Sequence, residues 1–114
     1  MRFFSKGRSH YGRPVLPVAV AARTTGGSSA AVQTKGFNTL GLTLDVLSVS
    51  GVSPSVTVTI QHSEDGATWR DHTAFPAVTA AGSRRLVVSG LDEFWRLSWT
   101  IAETVEFGVS GSVR

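Results

Sequence analysis

The chain has 114 residues, no cysteine and a formal net charge of +3. That length is enough for one domain with its own core, and the lack of cysteine excludes disulfides, thiol chemistry and thiolate-ligated zinc. Twelve glycines and recurrent Val, Thr and Ser, beside a single Met, suit strands and turns better than helices.

The charge is unevenly placed. Residues 1–23 carry Arg2, Lys6, Arg8, Arg13 and Arg23 with no acid, a net +5, whereas residues 24–114 carry six basic and eight acidic side chains, a net −2. The chain is therefore expected to divide into an extended basic N-terminal arm, 1–23, and a β domain, 24–114. A cationic arm on a faintly acidic domain suits a negatively charged partner surface, whether protein, nucleic acid or phospholipid. Residues 1–13 show neither a helical nor a strand period, so they are expected to gain order only against a partner. Phe3, Phe4 and Tyr11 are the expected anchors there, with Arg2, Lys6, Arg8 and Arg13 supplying electrostatic complementarity. The apolar run at 14–22 superficially resembles a secretory leader ending in Ala-x-Ala, but Pro14 and Pro17 interrupt it and Arg23 follows at once. No run reaches the length of a membrane-spanning helix, and no membrane association is expected.

Residues 15–22 fit an edge strand, because Pro14 and Pro17 cannot donate to a ladder. Residues 24–29 read as a flexible loop, 30–34 as a short strand, and Lys35-Gly36 as a turn. In 37–49, Leu40, Leu42, Leu44 and Val46 alternate with Gly41, Thr43 and Asp45, the period of a half-buried strand. The next strand begins at Val56, and Val56, Val58, Ile60 and His62 share one of its faces. These two strands are expected to pair with each other antiparallel, since the six residues 50–55 between them are too few for a parallel crossover. Glu64-Asp65-Gly66 then reverses the chain: Asp can bond the backbone two residues on, and Gly can take positive φ.

Beyond Trp69, residues 73–78 and 84–89 read as strands about a turn at 80–82. In 94–101, Trp95, Leu97, Trp99 and Ile101 share a face that should be core. A turn is expected at 102–104, after which Val105, Phe107, Val109, Gly111 and Val113 alternate. The sum is an all-β antiparallel β-sandwich of about seven or eight strands, with turn signals roughly every ten residues.

Reaction chemistry finds little support. His10, His62 and His72 lack a metal-ligand spacing, although His62 and His72 could approach across the hairpin beside Asp71, so no metal is expected. His62, Ser63 and Asp65 are triad residue types, yet neighbours on a hairpin point to opposite faces and cannot line up nucleophile, base and orienter. Gly26-Gly27-Ser28-Ser29 has no helix after it to complete a phosphate site. Neither catalysis nor a cofactor is expected. The arm is the sole candidate for nucleic-acid binding, and protein binding is favoured there because the β domain offers no basic face. Trp69, next to the Asp65 turn, is the one indole left open for stacking on a sugar ring.

Ser63-Glu64-Asp65-Gly66-Ala67-Thr68-Trp69 resembles the Ser-x-Asp-Gly-x-Thr-Trp turn of discoidin-like β-sandwich modules and lies one residue short of the sialidase Asp-box. A broader likeness runs from about residue 36 to 113. It comprises a first strand of Leu-x-Leu-x-Leu-x-Val, then Ser-Gly-x-Ser-Pro-Ser-Val-Thr-Val-Thr-Ile and the Asp-Gly-x-Thr-Trp turn, and later Trp-Arg-Leu-Ser-Trp-Thr-Ile and a closing Phe-Gly-Val-Ser-Gly. This order is similar to the small β-sandwich minor capsid or head decoration proteins of tailed phages that infect actinobacteria. The resemblance implies a multicopy virion protein clamping the outer shell of the major capsid protein, located on the capsid surface after synthesis in the host cytoplasm. The basic arm departs from that pattern and leaves a head–tail or tail position open. A carbohydrate-binding module displayed on a virion, using Asp65 and Trp69, is the alternative.

Overall fold

A computed structural model describes residues 13–34, 36, 37 and 39–113. They form seven strands, all paired antiparallel: β1 (Arg13–Arg23), β2 (Gly27–Ser28), β3 (Val32–Gln33), β4 (Thr39–Ser63), β5 (Arg70–Ala74), β6 (Gly82–Ser89) and β7 (Phe94–Val113).

The two long strands organise the rest. β4 and β7 pair with each other from Leu40↔Val113 to Ser63↔Phe94. Near the first of these pairs the strand order is β6-β4-β7-β1, and near the second it is β5-β4-β7 with β2 and β3 on the far side of β7. The hydrogen-bonded sheet is continuous, yet it does not lie flat. Trp99 and Phe107 belong to one strand, and a straight strand would hold them roughly 26 Å apart at about 3.3 Å per residue. Their ring centroids are 5.8 Å apart in an edge-to-face contact. β7 therefore turns a corner, β4 turns with it, and the sheet closes on itself as a two-layer sandwich.

The corner has an identifiable construction. Ser50 pairs with Thr104 and Ser55 with Ala102, so residues 51–54 of β4 stand opposite Glu103 alone. Gly51 has φ 114° and Glu103 has φ 65°, both in the left-handed region. A Cβ on Gly51 would lie 2.5 Å from the Glu103 Oε1 and 2.7 Å from its Cβ, so only glycine fits. Here the structure overturns one expectation from sequence. The strands on either side of residues 50–55 do not pair with each other; they are the two halves of β4, and each pairs with β7. The expected turn at 102–104 is the matching corner of β7. A short connection excludes a parallel crossover, but a positive-φ glycine inside a wide bulge makes it a bend and not a hairpin.

Alternation then builds the core. Leu40, Leu42, Leu44 and Val46 from one half of β4 and Val56, Val58 and Ile60 from the other are buried, as are Trp95, Leu97, Val105, Phe107, Val109 and Val113 of β7. Both layers contribute to a single apolar cluster. Val18 of β1, 3% exposed, belongs to it. Residues 13–23, assigned from the charge distribution to an arm, are thus the edge strand of one layer, paired with β7 from Arg13↔Val113 to Arg23↔Val105. The proline-bounded stretch reads correctly as an edge strand. The first register shift of β1 falls between Val15 and Val18, which places Pro17 in a bulge where no ladder donor is missed.

Candidate functional site

Of the expected arm contacts, Arg2, Phe3, Phe4, Lys6, Arg8 and Tyr11 lie outside the described residues. Arg13 opens β1, and its backbone pairs with Val113. Arg23, counted from sequence among the arm's cations, has a different occupation. Its guanidinium donates to the carbonyls of Ala19 (2.7 Å), Phe107 (2.8 Å) and Ala21 (3.1 Å), and lies 4.8 Å from the Phe107 ring centroid and 5.4 Å from that of Trp99. It satisfies the irregular end of β1 and closes the sandwich edge by cation–π contact with an aromatic from each layer.

The turn after β4 is built by two side chains. Ser63 is fully buried. Its Oγ accepts from the Gly66 amide (2.9 Å) and the Asp65 amide (3.2 Å) and donates to Asp65 Oδ1 (2.9 Å). The same Oδ1 accepts from the amides of Ala67 and Thr68, each at 2.9 Å. Gly66 takes φ 79°, the conformation for which glycine was expected here. Donation from the Thr68 and Ala67 amides and the Ser63 hydroxyl holds the Asp65 carboxyl down at about 2. One oxygen of Asp65, a candidate glycan ligand from sequence, is therefore engaged in the turn itself. Beside it lies an open cleft of about 240 Å³ lined by Glu64, Asp65, Thr68 and Arg70.

Trp69, the other candidate glycan residue, is half-buried, with the Arg96 guanidinium 4.4 Å from its ring centroid. Arg96 Nε donates to Gln61 Oε1 (2.9 Å), and Gln61 Nε2 donates to Asp71 Oδ1 (2.9 Å). A polar row thus crosses β7, β4 and β5. Sequence reasoning missed it, although Arg96 and Gln61 do sit at outward positions of their alternating strands. Trp95 is fully buried and Trp99 partly so, in keeping with the core reading of their face.

His62 and His72 do meet, ring centroids 4.8 Å apart and nearly perpendicular. Asp71, expected beside them, turns instead to Gln61, and the carboxylate that approaches His62 is Asp92, 3.5 Å from Nδ1. Among the described residues no group of three or more His, Cys, Asp or Glu side chains could hold a metal ion, and no helix is long and apolar enough to cross a membrane.

No protein-family model matches the sequence, and no curated protein matches it. Solved structures do. A structure titled "CBM4 structure and function" aligns at TM-score 0.48 and 13% identity, over 78% of this chain and 58% of that one. The naturally occurring empty particle of cowpea mosaic virus aligns at TM-score 0.46 and 17% identity, over 76% and 56%. Both scores are too low to bear on function. The crystal structure of the PBSX exported protein XepA aligns at TM-score 0.72 and 16% identity, over 90% of this chain and 37% of that one. At that identity the likeness is one of fold: this chain has the β-sandwich architecture of XepA over a little more than a third of XepA's length.

Proposed function

We propose that the chain is a virion structural protein, in its most specific form a capsid decoration or cement protein held on the major capsid lattice by residues 1–12 and the sandwich edges. The observation that carries this reading is the junction at Arg13. A segment bearing Arg2, Lys6 and Arg8 with no acid, and Phe3, Phe4 and Tyr11 as apolar anchors, continues directly into an eleven-residue strand bonded along the edge of the core sheet. Such a junction couples a partner-binding tail to a rigid body, which is what tying neighbouring subunits together requires. Contacts repeated over a lattice then act by multivalency, so each can be weak. The fold shared with XepA and the sequence likeness to phage capsid proteins support the setting, and a structural role needs no reaction centre.

The test is co-sedimentation of purified shells with the full chain and with a chain lacking residues 1–12. Loss of binding by the shortened chain, with the sandwich intact by circular dichroism, is the expected result. Undiminished binding would move the interface off the arm.

A second reading is favoured by the polar row. Trp69 is partly exposed beside a guanidinium oriented by Gln61, an arrangement suited to stacking and hydrogen bonding with a sugar. A glycan array with the wild type and Trp69→Ala discriminates: binding lost in a folded Trp69→Ala supports a carbohydrate module, and no binding to any glycan removes it.

A further inference from the structure

Each layer of the sandwich has two edges, and three of the four are poorly made to take a further strand. β1 carries Pro14 and Pro17 and shifts register twice. β5 is five residues long and pairs with β4 through a register shift, and β2 and β3 are two residues each. The fourth edge differs. β6 runs for eight residues in unbroken register with β4, from Thr39↔Ser89 to Val46↔Gly82, and among the described residues no strand pairs with its other side. Short, proline-bearing or bulged edges resist pairing, whereas a regular one presents a row of open N–H and C=O groups.

We propose that the outer edge of β6 binds an extended acidic segment of a partner protein as an added antiparallel strand. The inference rests on the proposed attachment through the sandwich edges, and it names the edge and the chemistry of its partner. Alternation fixes what the partner meets. Arg85 and Val87 lie on the outer face, opposite Thr43 and Gly41, while Arg84 stands opposite Leu44 on the side of the core face. All three are exposed, Val87 at 67%. β6 has no acid of its own, and the one carboxylate in the facing stretch of β4, that of Asp45, stands opposite Ser83 and accepts its hydroxyl at 2.5 Å. Among the described residues the only carboxylate that meets a basic side chain is that of Asp92, with Arg70 and His62, so both β6 guanidiniums lack an acidic partner there.

This composition turns the edge away from copies of the same chain. A second β6 would bring four guanidiniums and no carboxylate into one ladder, and like charges across strands destabilise it. Residues 1–12 bear Arg2, Lys6 and Arg8 with no acid, so the arm of a neighbouring copy is repelled as well. An acidic strand meets neither obstacle. Its backbone satisfies the open groups of the edge, and its side chains opposite Arg84 and Arg85 form two cross-strand ion pairs. Running antiparallel, it passes Val87, Leu86, Arg85 and Arg84 in that order, so the matching sequence is apolar-x-acid-acid.

Amide exchange of the full chain, followed by NMR, tests the proposal with a capped octapeptide, Thr-Thr-Val-Thr-Glu-Glu-Thr-Thr, and with the same peptide carrying Lys for Glu. The alternate β6 amides that point away from β4 should exchange more slowly with the Glu peptide and not with the Lys peptide. N-methylation of the Glu peptide at the amides facing β6 should abolish the effect, which separates strand addition from attraction between charges alone. In the double variant Arg84→Glu, Arg85→Glu the preference should reverse, and the Glu peptide should bind about tenfold more weakly as two ion pairs give way to two repulsions. Both positions are exposed, and retained protection of the Val56 amide, bonded to the Val78 carbonyl, reports that the variant is folded. No slowing in β6 with the Glu peptide, equal slowing with both peptides, or slowing confined to β1 or β5 overturns the proposal. Its failure is distinct from that of the capsid reading. A double variant that binds shells as the wild type does overturns the edge inference and leaves attachment by residues 1–12 standing, whereas a wild type that takes the Glu peptide on β6 and ignores shells supports the edge inference and overturns the capsid reading alone.

Discussion

Replacing Ser63 by alanine should cost more than any surface change of similar size, for reasons visible in its contacts. Ser63 is the one fully buried polar side chain among the described residues, and its hydroxyl takes part in three hydrogen bonds: from the Asp65 amide, from the Gly66 amide and to Asp65 Oδ1. Alanine occupies the same space, so no cavity term arises. The loss is purely one of polar contacts. A net worth of about 1 kcal/mol each gives about 3 kcal/mol, and access of water to the part-buried turn amides brings the expectation to about 2 kcal/mol. Urea unfolding measures it, with a midpoint lowered by about 1 M if the slope stays near 2 kcal/mol per M. A second variant, Asp65→Ala, and the double variant complete a cycle. Because the two side chains share a bond and close the same turn, their effects should be less than additive. A Ser63→Ala shift below about 0.5 kcal/mol, or strict additivity, would refute the view that this pair holds the hairpin register.

Acid should weaken the same turn in a defined window: the Asp65 carboxyl is depressed from its ordinary value of 3.8 to about 2, so its stabilising contribution is complete above the unfolded value and is lost as pH falls through that interval, which Asp65→Asn should abolish in pH-dependent unfolding. Gly111→Ala places a Cβ 1.9 Å from the Gly41 carbonyl oxygen, a backbone atom that cannot swing away, so β4 and β7 must separate locally and stability should fall by about 3 kcal/mol in thermal or urea unfolding. Attachment to empty shells should be only partly salt-sensitive, because ion pairs are screened at a Debye length of about 8 Å at physiological ionic strength while burial of Phe3, Phe4 and Tyr11 is not. Complete release at moderate salt, or a requirement for packaged DNA, would point instead to counterion release from phosphates.

Much of the fold was legible because period-two alternation is strict where one face of a strand is buried. Leu40 to Val46, Val56 to Ile60 and the Trp95 face all read correctly, and Ser63 to Trp69 announced its turn through residues whose local hydrogen bonding is nearly self-sufficient. What alternation cannot express is direction. A strand that bends at Gly51 keeps its period on both sides, so a corner between layers looks in sequence like a hairpin connection. The decisive quantity there is the close approach of Gly51 to Glu103, a contact between distant parts of the chain. The polar pairs were hidden for the same reason. Arg70 with Asp92 and Arg96 with Trp69 join residues 22 and 27 positions apart, brought together only by register.

The arm shows how a charge count can be right in sum and misplaced in detail, and the error bears on how the functional proposal must be tested. Counting cations to residue 23 groups Arg23 with Arg2, Lys6 and Arg8, whereas its guanidinium is held by three carbonyls and two aromatic rings of the sandwich. A truncation at residue 23 would remove β1, uncover one side of β7 from Val105 to Val113 and take Val18 out of the core. Burying a valine contributes about 1.5–3 kcal/mol, and the unpaired β7 edge becomes a template for aggregation. Loss of particle binding by that chain would report a damaged sheet and say nothing about the arm. Cutting after residue 12 leaves every β1–β7 pair in place, so the two truncations should differ sharply in stability, with the shorter one unfolding at the urea midpoint of the full chain. If both unfold at the full chain's midpoint, β1 is not an integral strand and the attachment boundary moves back to residue 23; if only the longer one is destabilised, binding lost by the shorter one belongs to residues 1–12.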